Sequence, residues 1–120
     1  MELPKDLILP ILEGKVKTIF KLFGGRHELC GERNLTISRR TYAVGDVLST
    51  RTCRISDITP EELKRGNFSD LYAFEKWWLS KGYREENVIH VINFDILRYT
   101  PRGKWFLKKM GKRIPKIRDD

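Results

Sequence analysis

Residues 88–96 are the feature that most restricts the possible folds of this sequence. Six of the nine residues are apolar, and the polar ones, His90, Asn93 and Asp95, are not spaced to form one continuous polar face. This pattern is typical of a strand that is covered on both faces. It therefore predicts a central strand in a layered domain. His90 lies inside the strand, and a lone histidine in such a run favours a hydrogen-bonded core residue over a catalytic one.

The residues from 15 to 22 alternate with a period of two, which predicts a second strand. One of its faces carries Val16, Thr18, Phe20 and Leu22, and the other carries Lys15, Lys17, Ile19 and Lys21. Just before this strand, Pro10 and Gly14 have the positions of a helix start and a helix stop, which predicts a short helical turn. The strand is expected to present three lysines on one side.

Turn-forming and β-favouring segments alternate between this strand and residue 55. Gly24-Gly25 and Val44-Gly45-Asp46 predict turns. Residues 35–37 and 47–55 predict strands, because both contain Thr and Ile residues that favour β-structure. The basic pair Arg39-Arg40 follows the first of these strands.

Two helices are predicted between residues 59 and 82. Thr59-Pro60-Glu61-Glu62 places an N-cap Thr before a first-turn Pro, with a Glu three residues after the cap, which is a capping box. Ser69 is expected to cap a second, longer helix that ends at Lys81-Gly82. Its apolar stripe favours a core position over a base-stacking surface. The stripe consists of Leu71, Phe74 and Trp78, with Trp77 alongside.

Length and composition are those of one globular domain. A chain of 120 residues can form a hydrophobic core without help from disulfides or bound metals. Of these residues, 40% are hydrophobic and 33% are charged. The high charge content favours a heat-adapted, thermophilic source. We expect no export signal and no membrane span. Cys30 and Cys53 are expected to be reduced thiols, so the predicted location is the cytoplasm.

The net charge of +8 is concentrated near the C-terminus, where residues 98–120 hold nine Lys and Arg against two Asp. Tyr99, Trp105 and Phe106 lie among these cations. Such a composition suits single-stranded nucleic acid, because aromatic rings stack on bases while cations neutralise phosphates. The alternative is a solvated tail that Trp105 and Phe106 dock onto the domain. Composition alone favours neither.

The sequence lacks the common catalytic and metal-binding motifs. It contains no P-loop, no G-x-G-x-x-G after a strand, no H-E-x-x-H and no G-x-S-x-G. Two His and two Cys are present, but no pair has the close spacing of a zinc site at both ends. We therefore expect no metal and no cofactor.

Four segments, in their order along the chain, resemble the ASCH domain family of the PUA-like superfamily. They are Ile11-Leu12-Glu13-Gly14-Lys15-Val16-Lys17-Thr18, Tyr42-Ala43-Val44-Gly45-Asp46-Val47-Leu48, Ile58-Thr59-Pro60-Glu61-Glu62-Leu63 and Val88-Ile89-His90-Val91-Ile92-Asn93-Phe94. The resemblance implies an α+β fold over residues 1–97, a PUA-like β-barrel that is mixed but mostly antiparallel, with two or three flanking helices. Residues 98–120 would then be a basic extension, partly docked on that domain. The resemblance also implies RNA binding, in a cleft where the residues after Gly14 face the ligand.

Some family members resemble small amidohydrolases that deacetylate cytidine derivatives, and the resemblance implies a reactive Lys, Thr and Glu for such an enzyme. Counted from Lys17-Thr18, the position of the reactive Thr holds Phe20, and counted from Gly14 it holds Ile19. Neither position supplies the hydroxyl group of a Thr, although deacetylation needs a nucleophile or an activated water. The remaining candidates for catalysis are Lys17, Glu62 and Asp70. We therefore rank binding without catalysis first.

The predicted function is the binding of RNA, or of a nucleotide-like ligand, through a basic cleft and a basic tail. The candidate contact residues are Lys15, Lys17, Lys21, Arg39, Arg40, Arg102, Lys104, Lys108 and Lys109. The RNA is expected to be single-stranded or structured, and shape and phosphate contacts are expected to dominate. A hydrolase acting on a modified nucleoside or on RNA is the first alternative, and a protein-interaction adaptor is the second.

Overall fold

The computed structural model describes residues 1–117, which form one four-stranded sheet with helices packed on both faces. The strands are β1 (Thr18–Leu22), β2 (Gly31–Ile37), β3 (Arg40–Cys53) and β4 (Ile89–Tyr99). The helices are α1 (Ile8–Leu12), α2 (Pro60–Arg65), α3 (Leu71–Ser80) and α4 (Pro101–Lys109), with short 3-10 turns at Lys5–Leu7 and Ile55–Asp57. Within residues 1–117, no helix has the length and apolar character needed to cross a bilayer.

The strands lie in the order β1-β4-β3-β2, and each neighbouring pair is antiparallel. β4 therefore lies between two other strands, which confirms the central position predicted from its apolar sequence. β1 and β2 are the two edges of an open sheet, with a parallel bridge from Glu2 to Thr36 beside β2. The α+β class is confirmed, whereas closure of the sheet into a barrel is not.

Each face of the sheet has its own apolar cluster, because neighbouring residues of a strand point to opposite sides. The cluster under α1 and α4 includes the fully buried Ile11, Ile19, Ile92 and Leu107. The cluster under α2 and α3 includes the buried Phe20, Leu63, Phe74, Trp78 and Val91. Four α-helices thus flank the sheet in the described part of the chain, where two or three were predicted.

Strand β3 is longer than predicted, and the turn predicted at residues 44–46 is wrong. The strand runs through these residues, and the pairing with β4 shifts between Val44 and Gly45. A Cβ on Gly45 would lie 3.0 Å from a methyl of Leu35, so the glycine makes room for a core side chain on the neighbouring strand. Gly45 therefore marks a β-bulge with a close contact and not a reversal of the chain.

Helices α2 and α3 begin close to the predicted positions. The Glu62 N–H donates to the Thr59 hydroxyl at 3.2 Å, and the Thr59 N–H donates to the Glu62 carboxylate at 2.9 Å, which confirms the capping box. The cap of α3 is Asp70 and not Ser69. The predicted core stripe of α3 is confirmed for Phe74 and Trp78, which are fully buried, and wrong for Leu71, which is 36% exposed.

Helix α4 is part of the folded domain. The Thr100 side chain caps it, and its Gly103 and Leu107 are buried. Just before it, the buried Tyr99 donates its hydroxyl proton to the Leu12 carbonyl oxygen at 2.6 Å. The basic C-terminal segment is therefore ordered at least through this helix, and residues 118–120 lie outside the described part.

Candidate nucleic-acid interface

The three lysines predicted to share one strand face do not form a row. Strand β1 begins only at Thr18, so Lys15 and Lys17 precede it. Ile19 lies fully buried on the face predicted for the lysines. Lys15 is at the surface with its Nζ 3.4 Å from the Glu13 carboxylate. The predicted lysine face is therefore wrong, and each lysine has different surroundings.

Lys21 lies opposite His90 in the β1–β4 pair, on the side of the sheet that the loop after β1 approaches. Burial lowers the pKa of Lys21, while the charges of Glu28 and Glu2 raise it. His90 is buried and accepts a hydrogen bond at Nε2 from the Glu28 N–H at 3.3 Å. Burial also lowers the pKa of His90, as do the nearby His27 and Lys21. His90 is thus the hydrogen-bonded core histidine that the sequence predicts.

A groove of about 860 Å³ opens where the chain leaves α1 at Gly14. Gly14 has a φ of 79°, in the left-handed region that glycine adopts readily. The residues after it form one wall, and the end of β4 together with residues 115–117 forms the other. The charged residues that line the groove are Glu13, Lys17, Asp95 and Lys116. Of the three predicted lysines, Lys17 is the one that lines this groove.

Arg65, the last residue of α2, contacts the backbone of Lys17 but does not line the groove. Its Nη2 lies 3.3 Å from the Lys17 carbonyl oxygen, 3.4 Å from the Phe94 carbonyl oxygen and 3.9 Å from the Asp95 carboxylate. The Lys17 N–H in turn donates to the Arg65 carbonyl oxygen at 2.7 Å. The sequence does not reveal Arg65 as a site residue, because nothing in its local pattern distinguishes it from other helical arginines.

A row of polar side chains crosses the sheet beneath Arg65. The buried Thr18 hydroxyl donates to Asn93 Oδ1, and Asn93 Nδ2 donates to Ser49 Oγ at 2.9 Å. Arg65 Nε donates to Thr18 Oγ1 at 3.3 Å. The Thr18 hydroxyl is therefore fully engaged, and oxygens of four residues orient the Arg65 guanidinium.

Solved structures resemble this fold, although no protein-family model and no curated protein matches the sequence. The ASCH domain from Lactobacillus crispatus JV V101 has a TM-score of 0.53 and 15% identity, over 78% of this chain and 70% of that one. The ASCH protein from Zymomonas mobilis has a TM-score of 0.56 and 8% identity, over 97% of this chain and 81% of that one. This chain has an ASCH-type fold.

A third similar structure is a DUF984 protein from Enterococcus faecalis V583, with a TM-score of 0.57 and 6% identity, over 80% of this chain and 72% of that one. At these identities the likeness concerns the fold alone. Within the ASCH-type fold, the groove directly follows Gly14, where the resemblance in sequence predicts a ligand cleft. Binding of a ligand there stays a prediction.

The acids named as catalytic candidates have structural partners in this ASCH-type fold. The Glu62 carboxylate accepts from Arg51 Nε at 2.7 Å and from Arg51 Nη2 at 2.6 Å. These hydrogen bonds lower the pKa of Glu62 against the effect of its burial. Asp70 accepts from the Ala73 N–H at 2.7 Å as the cap of α3. Neither acid lines the groove beside Lys17, so the three candidates do not form one catalytic set.

Helix α4 carries the predicted basic residues Arg102, Lys104, Lys108 and Lys109, and all four are exposed. Within residues 1–117, none of the four lies within ion-pair distance of a carboxylate. The guanidinium of Arg102 lies 6.0 Å from the centre of the Tyr42 ring, and Lys109 Nζ lies 4.8 Å from that of Trp105. The outward side of α4 is therefore a strongly basic surface.

The basic pair Arg39-Arg40 lies at the tip of the β2–β3 hairpin and is exposed. Ser38 and Arg39 have φ values of 51° and 66°, the left-handed conformation of a tight two-residue turn. The pairing of β2 with β3 shifts between Leu35 and Thr36, where Tyr42 is the extra residue on β3.

The histidines and cysteines do not assemble into a metal site in the described part of the chain. No group of three or more His, Cys, Asp or Glu side chains is close enough there to hold an ion. Cys30 is exposed and Cys53 is buried, and burial raises the pKa of the Cys53 thiol. The chemistry that the site can offer therefore rests on cations, aromatic rings and hydrogen-bond donors.

Proposed function

We propose that this ASCH-type domain binds RNA through the groove after Gly14, with the basic surface of α4 adding phosphate contacts. The observation that carries the proposal is the groove itself, which Lys17 and Lys116 line together with apolar residues. Lysine side chains on the wall of a groove suit a phosphate, because their charge-assisted hydrogen bonds to its oxygens are strong. The shape of the groove would then select the nucleotide attached to it.

The size and polarity of the groove suit one nucleotide unit. Its volume of about 860 Å³ lies within the range of about 300–1,000 Å³ that is usual for small-ligand sites. Apolar residues such as Val16 and Ile96 line it together with charged ones, so it can hold a base against the former and a phosphate against the latter. Asp95 is available to accept a hydrogen bond from a sugar hydroxyl or a base amino group.

Two cationic surfaces with different properties support RNA rather than a small acidic metabolite. The groove is lined by two cations, Lys17 and Lys116, whereas α4 carries four exposed ones on a single helix. A polyanion can use both surfaces at once, and counterion release from its phosphates would make binding steeply dependent on salt. The hydrolase alternative gains no support, because Glu62 and Asp70 are engaged in structural hydrogen bonds.

The test is a fluorescence-anisotropy titration of a labelled single-stranded RNA at several salt concentrations. We expect Lys17→Ala to weaken binding about tenfold, the equivalent of one charge-assisted hydrogen bond, and to lower the log-log salt slope by about 0.7. Lys76→Ala is the matched control, because Lys76 is an exposed lysine on α3 that does not line the groove. The control should bind like the wild type.

A second variant tests the contribution of α4. Changing its four cations to Gln should lower the salt slope by about three units while the preference among RNA sequences stays the same. Neutralisation is preferable to truncation, because Tyr99 and Leu107 belong to the core. Equal losses for Lys17→Ala and Lys76→Ala would contradict the groove as the binding site. Binding of RNA no tighter than that of inorganic polyphosphate of equal charge would contradict the function itself.

A further inference from the structure

Trp105 is the most exposed tryptophan in the part of the chain that the structure describes. It is 55% exposed, whereas Trp78 and Phe74 are completely buried. Exposing an indole to water forgoes the stabilisation of about 2 kcal/mol or more that burial of a large apolar side chain provides. The fold does not use Trp105 for its core, so its ring is free to contact an external partner.

The docking of α4 determines which way Trp105 points. Gly103 and Leu107 are buried against the domain, and the Phe106 ring packs edge-to-face on Tyr42 with the ring centres 5.9 Å apart. Since a helix turns about 100° per residue, residue 105 must then lie on the outward side. Of the two aromatic residues predicted to dock this segment, Phe106 does so and Trp105 does not.

Three cations surround Trp105 on the helix surface. Arg102 precedes it by three residues, and Lys108 and Lys109 follow it by three and four, which are the spacings of neighbours on a helix. Lys109 Nζ lies 4.8 Å from the centre of the ring and so occupies one side of it. From Arg102 to Lys109 the helix extends about 10 Å, the length of about three stacked nucleotides.

We infer that the outward side of α4 is a binding site for single-stranded RNA, in which one unpaired base stacks on Trp105. The base would lie on the side of the indole that Lys109 leaves open, and the neighbouring cations would contact the phosphates before and after that base. This inference rests on the proposed function, and it adds a second site with a defined requirement for an unpaired base.

A stacked base fits this surface better than a membrane does. An amphipathic helix binds a bilayer through a broad apolar face, and the apolar face of α4 is already used against the domain through Phe106 and Leu107. What remains outside is one aromatic ring among cations. A duplex is also a poor fit, because its bases are already stacked on one another.

The experiment compares Trp105→Ala with Tyr72→Ala, a matched control that removes an aromatic side chain that is 73% exposed on α3. Binding is measured with single-stranded RNA, with the same strand lacking its bases, with duplex RNA and with anionic lipid vesicles. We expect Trp105→Ala to weaken binding of single-stranded RNA roughly 5- to 150-fold, as the loss of one stacked base implies. The salt slope should not change, because no charge is removed. Trp105→Phe should restore part of the affinity.

The four probes separate base stacking from charge attraction and from membrane binding. On the base-free strand, wild type and Trp105→Ala should bind equally, since no base is available to stack. An unchanged affinity of Trp105→Ala for single-stranded RNA would overturn the inference, as would an equal loss on the base-free strand or stronger binding of the wild type to vesicles than to RNA. If Lys17→Ala weakens binding and Trp105→Ala does not, the inference fails and the proposed function stands. If the wild type binds no RNA at all, both fail.

Discussion

Gly103→Ala should destabilise this protein, even though alanine is the better helix former. A Cβ at this position would overlap the backbone carbonyl oxygen of Tyr42, which lies closer than the 3.0 Å that real Cβ atoms respect. The obstacle is backbone, so it cannot rotate away as a side chain would. Helix α4 would have to move by on the order of 1 Å or lose its contact with β3.

The magnitude follows from two opposing contributions. Alanine in place of glycine inside a helix stabilises by about 1 kcal/mol. Overpacking a tight contact costs about 1–3 kcal/mol, and more when the backbone must shift. A shift would also weaken the hydrogen bonds from Thr100 to the carbonyl oxygens of Thr41 and Tyr42, at 2.8 and 3.2 Å. We expect a net loss of about 2 kcal/mol, equivalent to a fall of roughly 8 °C in Tm.

Urea unfolding followed by far-UV circular dichroism measures this loss. Lys104→Ala is the control, because it makes a helix-compatible change at the next residue on the exposed side of α4. The control should alter the free energy of unfolding by less than about 0.5 kcal/mol. Stabilisation of Gly103→Ala by about 1 kcal/mol would mean that helix propensity prevails, and it would refute the close packing of α4 against Tyr42.

Three further predictions concern the core and the ionisable groups. Phe74→Ala should cost about 3–5 kcal/mol in urea unfolding, because the side chain is fully buried, and a cost below about 1 kcal/mol would contradict that position. Glu62→Ala should lower the free energy of unfolding by about 2–3 kcal/mol, because it removes both a helix cap and the partner of Arg51. The control Glu61→Ala, at an exposed position, should cost less than about 0.5 kcal/mol. Equal costs for the two variants would contradict a structural role of Glu62. Burial raises the pKa of Tyr99 to about 12. The contribution of its neutral hydroxyl to stability is therefore complete below the unfolded pKa of 10 and declines as the pH rises towards 12. Across that range the wild type should lose more stability than Tyr99→Phe, and parallel pH profiles would disprove this.

The parts of the fold that could be predicted from the sequence are those encoded by neighbouring residues. The capping box of α2 needs only Thr59 and Glu62, and the central position of β4 follows from its high content of apolar residues. The helical spacing of Phe74 and Trp78 identifies both as core residues. Each of these patterns acts between residues that are close in sequence, so no knowledge of the rest of the chain is needed.

Local patterns mislead where a distant part of the chain decides the outcome. Gly45 looks like a turn residue, but its role is to admit Leu35 of the neighbouring strand. The alternation around Lys17 looks like a strand face, but the strand begins one residue later. Leu71 continues the apolar stripe of α3 at its first turn, where the helix still extends into solvent. Local periodicity cannot distinguish these cases.

The candidate site could be predicted only in part, because it too depends on distant residues. Lys17 could be named from the sequence, whereas Asp95 and Ile96 on the opposite wall come from β4 and meet it only in the folded sheet. The sequence shows that aromatic residues are concentrated in the C-terminal segment, but it does not show which of them are buried and which are exposed. Which of them faces outward depends on the way Gly103 seats α4 against β3.

The strand order has a consequence for how the chain acquires its structure. β2 and β3 are joined by a tight turn and can pair as soon as both have been synthesised. β1 cannot pair until β4 has been synthesised, because β4 is its partner in the sheet. Thr18, for example, pairs with Asn93. Until β4 leaves the ribosome, Ile19 and Phe20 have no strand beside them, and such sequence-distant pairings slow folding and prolong the exposure of apolar surface. The nascent chain is therefore most vulnerable to aggregation, and most dependent on chaperones, between the synthesis of β1 and that of β4.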